Sequence, residues 1–216
     1  ISMEKKAQLR DQAFFVNFIH IPKNGGNSIR KICEKKGINM IYNGHSTNVY
    51  DKDLTNQLVV IRNPIDRFIS AVYYAIQVCG RLPHIKNLKK KGINSPEKWV
   101  QIWCDPNHYQ YHDLMLEMLN TGHYIGNKME KYKYTYSPQS LWINNPKFVI
   151  IMDNFKTEIQ YFLEKYKING IVTKENTTKH IDGQLSEKSI EFLKNFYKED
   201  FIIYEKYKNM SIEERI

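Results

Sequence analysis

Acid, cysteine and long apolar runs are all scarce in this chain. Across 216 residues, 23 Asp and Glu stand against 32 Lys and Arg, a formal charge of +9. That shortage of acid suits an anionic partner, whether nucleotide, acidic glycan, nucleic acid or anionic membrane, and does not choose among them. Only three cysteines occur, Cys33, Cys79 and Cys104. Odd in number, scattered and without Cys-x-x-Cys spacing, they argue against a disulfide framework and a cysteine zinc site, and they fit a reducing compartment. There is no run of about 18 apolar residues and no signal-peptide pattern, so a soluble protein without a membrane partner is expected. Low-complexity tracts and internal repeats are also missing. Ile1-Ser2 ahead of Met3 reads as a cloning remnant, and a removed N-terminal anchor stays open.

What is present is an alternation of strands and helices. The length suits one α/β domain with a sizeable core, spanning residues 1–216. Phe14–His20 reads as a strand and Gly26–Lys36 as the helix after it, with Ile29, Ile32 and Cys33 on one face. Gln57–Ile61 is continuously apolar after its first residue, as a strand buried on both faces of a parallel sheet should be. Asn63 is placed to cap a helix with Pro64 at its first position and Asp66 in its first turn. The core stripe of that helix is Ile65, Phe68, Ile69, Val72 and Ile76, leaving Arg67, Ser70 and Tyr74 off it, with Arg67 open to a surface role. Phe148–Met152 reads as a further strand, capped by Asp153 or Asn154 into a helix ending near Lys167. A short strand at Ile171–Val172, a polar loop at Lys174–Gly183 and a helix or helix pair from Ser186 to about Asn209 follow. This order predicts an α/β fold, a P-loop-like three-layer domain with a mostly parallel central sheet flanked by helices. Residues 80–146 are less regular and read as an insertion on the ligand-binding rim.

Two segments carry chemistry. In residues 16–28, Val-Asn-Phe-Ile-His-Ile-Pro-Lys-Asn-Gly-Gly-Asn-Ser, an apolar strand runs into a glycine-bearing turn that opens a helix. Glycines let backbone approach an anion closely, the helix N-terminus offers unpaired N–H groups, and Lys23 adds a mobile charge. The nucleotide triphosphatase loop places lysine after its glycines; here lysine precedes them. The second segment is Val60-Ile61-Arg62-Asn63-Pro64-Ile65-Asp66-Arg67-Phe68-Ile69-Ser70-Ala71-Val72-Tyr73-Tyr74. Together, and in this order, the two resemble the 5′-phosphosulfate loop and the 3′-phosphate element of sulfotransferases. The likeness is to the carbohydrate type that includes heparan sulfate 2-O-sulfotransferase.

That resemblance implies 3′-phosphoadenosine 5′-phosphosulfate as co-substrate, no metal, and transfer of a sulfuryl group to a hydroxylated acceptor, expected to be a glycan. It implies that Lys23, Asn24, Gly25, Gly26, Asn27 and Ser28 hold the 5′ end, with Lys23 stabilising the leaving group. Arg62 and Ser70 would contact the 3′-phosphate, and a guanidinium fork beside a hydroxyl suits that task. His45, in Tyr42-Asn43-Gly44-His45-Ser46, resembles the element that supplies the general base and titrates in a suitable range. Glu34 and Glu117 are distant fallbacks. Glu175-Asn176-Thr177-Thr178-Lys179-His180 resembles the loop that closes over the donor, so Thr177, Thr178 and Lys179 are donor-binding candidates. The Tyr197-Lys198-Glu199-Asp200-Phe201 stretch resembles the family's C-terminal ending. Relatives in animal cells lie in the Golgi lumen behind an N-terminal anchor, which sets that compartment against the reducing cytoplasm favoured by the cysteines.

Weaker signals lie in the middle. His108 and His112 stand four apart, a spacing that can serve one helix face, but the Glu of His-Glu-x-x-His is missing; acceptor binding is expected rather than metal. Tyr109, Tyr111, Tyr124, Tyr132, Tyr134 and Tyr136 with Lys128, Lys131 and Lys133 could form an acceptor platform or pack internally. Gln139 is placed to reach the acceptor. A small-molecule kinase with a degenerate phosphate loop is the alternative enzyme. A non-enzymatic anionic-ligand module would explain the charge but not the paired phosphate motifs, and a nucleic-acid partner is not expected.

Overall fold

Strands β1 (Val16–Ile19), β3 (Gln57–Ile61) and β4 (Phe148–Ile151) are buried at every residue, whereas β2 (Met40–Asn43) is buried only at Met40. Apolar runs of this kind belong to parallel strands covered on both faces. The computed structural model describes residues 15–35, 39–44, 54–80, 82–120, 135–168 and 185–216. It orders the strands β2-β1-β3-β4, with every pair parallel. Phe18 of β1 stands beside Tyr42 on one side and Leu58 on the other, and Leu58 beside Phe148. The fold is the expected α/β class with a parallel central sheet flanked by helices.

The helices, in chain order, are α1 (Gly26–Cys33), α2 (Pro64–Gln77), α3 (Pro83–Lys90), α4 (Pro96–Trp103), α5 (Tyr111–Asn120), α6 (Phe155–Lys165), α7 (Glu187–Phe196), α8 (Lys198–Lys208) and α9 (Ile212–Arg215). None among the described residues is long and apolar enough to cross a membrane. All three cysteines are free thiols. Several boundaries differ from the sequence expectation. α1 stops at Cys33 rather than Lys36, and β4 stops at Ile151 because Met152–Asn154 winds into a tight 3-10 turn. Asn154 therefore precedes α6 without a side-chain capping bond, and α6 ends at Lys165. The long C-terminal helix is a pair interrupted at Tyr197. Residues 171–172 and 174–183 lie outside the described residues.

The chain divides into two compact units, one from Ile1–Ile61, Trp142–Glu175 and Tyr207–Ile216, the other from Arg62–Leu141 and Asn176–Lys206. In the first, Ile29 and Ile32 of α1 and Ile159, Phe162 and Leu163 of α6 cover Val16, Phe18, Leu58, Val60, Phe148 and Ile150 of the sheet. Among the described residues β4 is an edge strand, and an ion pair covers its open side. Arg215 Nη1 donates to Val149 O at 3.0 Å, while Glu158 Oε2 accepts from Ile151 N at 2.7 Å. The two side chains are buried and joined by a bidentate pair, Nη1 to Oε2 at 2.7 Å and Nη2 to Oε1 at 2.8 Å. Edge N–H and C=O groups that would otherwise invite pairing are thus occupied.

In the second unit, α2 starts as its sequence dictates. Asn63 Oδ1 accepts from Ile65 N at 2.9 Å, and Pro64 opens the first turn. Its buried face is Phe68, Ala71, Val72 and Ala75, packed with Trp99, Val100, Ile102, Leu114 and Leu193; Ile65, Ile69 and Ile76 pack against this core from its margin. The expected stripe is therefore rotated toward the two alanines, which leave room for neighbouring helices. Ser186 Oγ caps α7 by accepting from Ser189 N at 3.2 Å.

Candidate active site

The phosphate-loop segment leaves β1 at its carboxyl end and turns sharply into α1. Lys23 and Gly25 both adopt left-handed backbone, with φ 68° and 73°. For glycine that conformation is free of strain; for lysine it costs roughly 1–2 kcal/mol, which the surrounding loop must supply. The loop is anchored by Asn24, whose buried Nδ2 donates to Val60 O at 2.8 Å. Asn24, one of the residues expected at the donor, thus ties the loop to β3 through its side-chain amide. A methyl group on Gly25 would meet Met152 Sδ at 3.2 Å and Phe155 Cε2 at 3.3 Å.

Gly26 has a still stronger reason to lack a side chain. An added Cβ would fall 1.8 Å from Cδ2 and 1.9 Å from Nε2 of His20. His20 is a buried residue that the sequence did not single out. Its ring stacks on Phe18, and its Nδ1 shares a 2.5 Å hydrogen bond with the Tyr42 hydroxyl. The α1 N-terminus therefore rests on an imidazole floor. Gly25 brings no side chain to the first N–H groups of α1, and no acidic residue sits in the first turn. α2, α4, α7 and α9 have side-chain caps from Asn63, Ser95, Ser186 and Ser211 and an acid in the first turn, whereas α3 shares with α1 the lack of both. What sets α1 apart is the left-handed turn of Lys23 and Gly25 ahead of it, and a positive helix end behind such a turn suits an anion. Ser28 is buried, its N–H turned to Gly25 O at 3.1 Å, whereas Asn27 is exposed and Lys23 half-buried.

In the second unit, Arg62 is the first residue after β3 and is half-buried; Ser70 lies on α2 and is buried. Gln139, assigned to the acceptor from sequence, is 0 % exposed. Its amide accepts from Arg62 N at 3.2 Å and donates to Arg62 O at 2.8 Å. The structure brings Gln139 to Arg62 and leaves it no exposed surface, a correction to its expected place. Arg67 is corrected likewise: it is 1 % exposed and donates to Ser137 O at 2.7 Å and Thr135 O at 2.9 Å. Helical periodicity registers apolar atoms and cannot foresee a buried guanidinium. Burial lowers the Arg67 pKa, opposed by Tyr197 and Asp200; burial raises that of Asp200, opposed by Arg67 and by N–H groups of Ser140 and Gln139.

Other expected site residues separate. His108 lies in a turn built by Asp105, whose Oδ1 accepts from Asn107 N at 3.1 Å, and α5 starts only at Tyr111. His108 and His112 consequently do not share a helix face; His108 Nδ1 accepts from Gln110 N at 3.1 Å, and His112 is exposed on α5. Tyr109 is 85 % exposed and stacks on His108, whereas Tyr136 is buried against Phe68 and Trp99, so Tyr136 belongs to the core rather than to any platform. Glu117 is buried in α5, and Glu34 pairs with Arg30 at the surface. His45, Thr177, Thr178, Lys179, Tyr124, Tyr132, Tyr134, Lys128, Lys131 and Lys133 lie outside the described residues.

The family model described as the sulfotransferase family matches residues 9–208. No curated protein and no solved structure matches the chain.

Proposed function

Because the chain belongs to the sulfotransferase family, and is thus an enzyme that moves a sulfuryl group to a hydroxyl-bearing acceptor, we propose that its donor is 3′-phosphoadenosine 5′-phosphosulfate and its acceptor a carbohydrate. The observation that carries the donor assignment is the loop at residues 22–28, where left-handed Lys23 and Gly25 lead into a helix N-terminus without cap or acid. The donor supplies a sulfuryl group on a phosphate leaving group, and transfer is an in-line displacement governed by positioning and charge.

Lys23 offsets the negative charge that grows on the bridging oxygen as the phosphate departs. The first N–H groups of α1, with Asn27 and Ser28, hold the 5′ end. Arg62 and Ser70 hold the 3′-phosphate through a guanidinium fork and a hydroxyl. His45 takes the acceptor proton, and Thr177, Thr178 and Lys179 close on the donor. Residues 80–146 form the acceptor side, where exposed Tyr109 on His108 offers an aromatic face, with exposed His112 beyond it on α5.

Radiolabelled donor offered to a panel of glycans, phenols and steroids tests this reading. Label is expected on glycan hydroxyls, and His45→Ala is expected to remove the acidic limb of the pH–rate profile. Label confined to phenols or steroids would overturn the carbohydrate assignment, and an unchanged profile the base.

A further inference from the structure

Arg62 stands where the chain has just left the β3 ladder, so its peptide groups need partners that the sheet no longer provides. One side chain meets both needs: the Gln139 amide accepts from Arg62 N and donates to Arg62 O. A two-point clasp of this kind fixes the peptide planes on both sides of the Arg62 Cα, and with them the direction in which the arginine side chain departs.

Gln139 is itself held with unusual thoroughness. Asp200, 0 % exposed, accepts from Gln139 N at 2.7 Å through Oδ2 and from Ser140 N at 2.9 Å through Oδ1. Arg67 takes the carbonyls of Thr135 and Ser137, and the Tyr197 hydroxyl donates to the carbonyl between them, Tyr136 O, at 2.6 Å. Residues 135–140 are thus tethered by three buried polar side chains from α2, α8 and the break before α8. Apolar packing would hold such a segment at lower desolvation cost, so charged groups here favour geometry over stability.

We propose that Gln139 is a positioning residue for the donor's 3′-phosphate, aiming Arg62 through its backbone, with Asp200, Arg67 and Tyr197 holding Gln139 in place. The proposal rests on the reading of Arg62 as a 3′-phosphate ligand. Its signature is selective: grip on the 3′-phosphate should weaken while the rest of the nucleotide is bound as before.

The measurement is the affinity ratio between adenosine 3′,5′-bisphosphate and adenosine 5′-monophosphate, taken by calorimetry on the full chain. Arg62→Ala is expected to bring the ratio close to unity. Gln139→Met keeps the volume and loses both hydrogen bonds; it should lower the ratio by about tenfold with monophosphate affinity unchanged. A collapsed ratio in Arg62→Ala beside a parental ratio in Gln139→Met overturns the proposal alone. A parental ratio in Arg62→Ala overturns the reading beneath it, and the proposal with it. Equal weakening of both nucleotides by Gln139→Met marks a purely structural role and also overturns it. If Gln139→Met does not fold, Asp200→Asn, which loses an acceptor for one of two N–H groups, is scored on the same criteria. Unfolding of both variants counts against a positioning role.

Discussion

Lys23→Ala is expected to lower kcat by about 10²–10³-fold, the usual cost of removing one preorganised group that stabilises transition-state charge. Stability should change little beside that loss of rate, because the ammonium has its task in the transition state rather than in the fold. Lys23 is half-buried, and alanine meets the same left-handed backbone that lysine does at φ 68°. Lys23→Gly sharpens the test. It removes the same ammonium but relieves a backbone cost of roughly 1–2 kcal/mol, so it should be equally slow and no less stable. Stopped-time turnover assays and thermal melting on the two variants read both quantities. A variant that melts well below the parent and regains turnover when stabilised would make Lys23 a structural residue.

Arg215→Ala is expected to cost about 3–5 kcal/mol, because it leaves the Glu158 carboxylate buried without its partner. Val149 O loses its donor at the same time, while Glu158 still accepts from Ile151 N. Replacing the pair together, Arg215→Met with Glu158→Leu, removes the uncompensated charge but strands two edge groups of β4. Each stranded group costs about 1–3 kcal/mol, so the double variant should recover only part of the loss. Urea denaturation of the parent and the two variants gives both costs. A single-variant cost below about 1 kcal/mol would show that the pair behaves as a surface ion pair and does not protect the sheet edge.

Strands β1, β3 and β4 and the loop between β1 and α1 are legible in the sequence because their causes are local. Four successive apolar residues at Leu58–Ile61, Asn63 before Pro64, and the Lys23–Ser28 turn each declare themselves within a few positions. What escapes is cross-chain and polar. Nothing near Arg67 announces that the carbonyls of Thr135 and Ser137 will be its partners. Gln139 reads as a specificity residue because its burial and its clasp on Arg62, 77 positions away, are set by tertiary packing. His20 sits in an apolar run and is read as strand, although its ring decides that residue 26 must be glycine. One missed element did have a local signal. Ser211-Ile212-Glu213-Glu214 is a capping box, and both of its reciprocal bonds form in α9. The misplaced histidine pair has a local cause too, since Asp105-Pro106 turns the chain before α5 begins.

Calorimetric titration of the parent protein in the absence of metal tests the donor assignment most directly. Adenosine 3′,5′-bisphosphate should bind at least about tenfold more tightly than ATP with magnesium, since a single charge-assisted contact to the 3′-phosphate is enough for that margin. Equal affinity for the two nucleotides, or no heat with the bisphosphate, would contradict it.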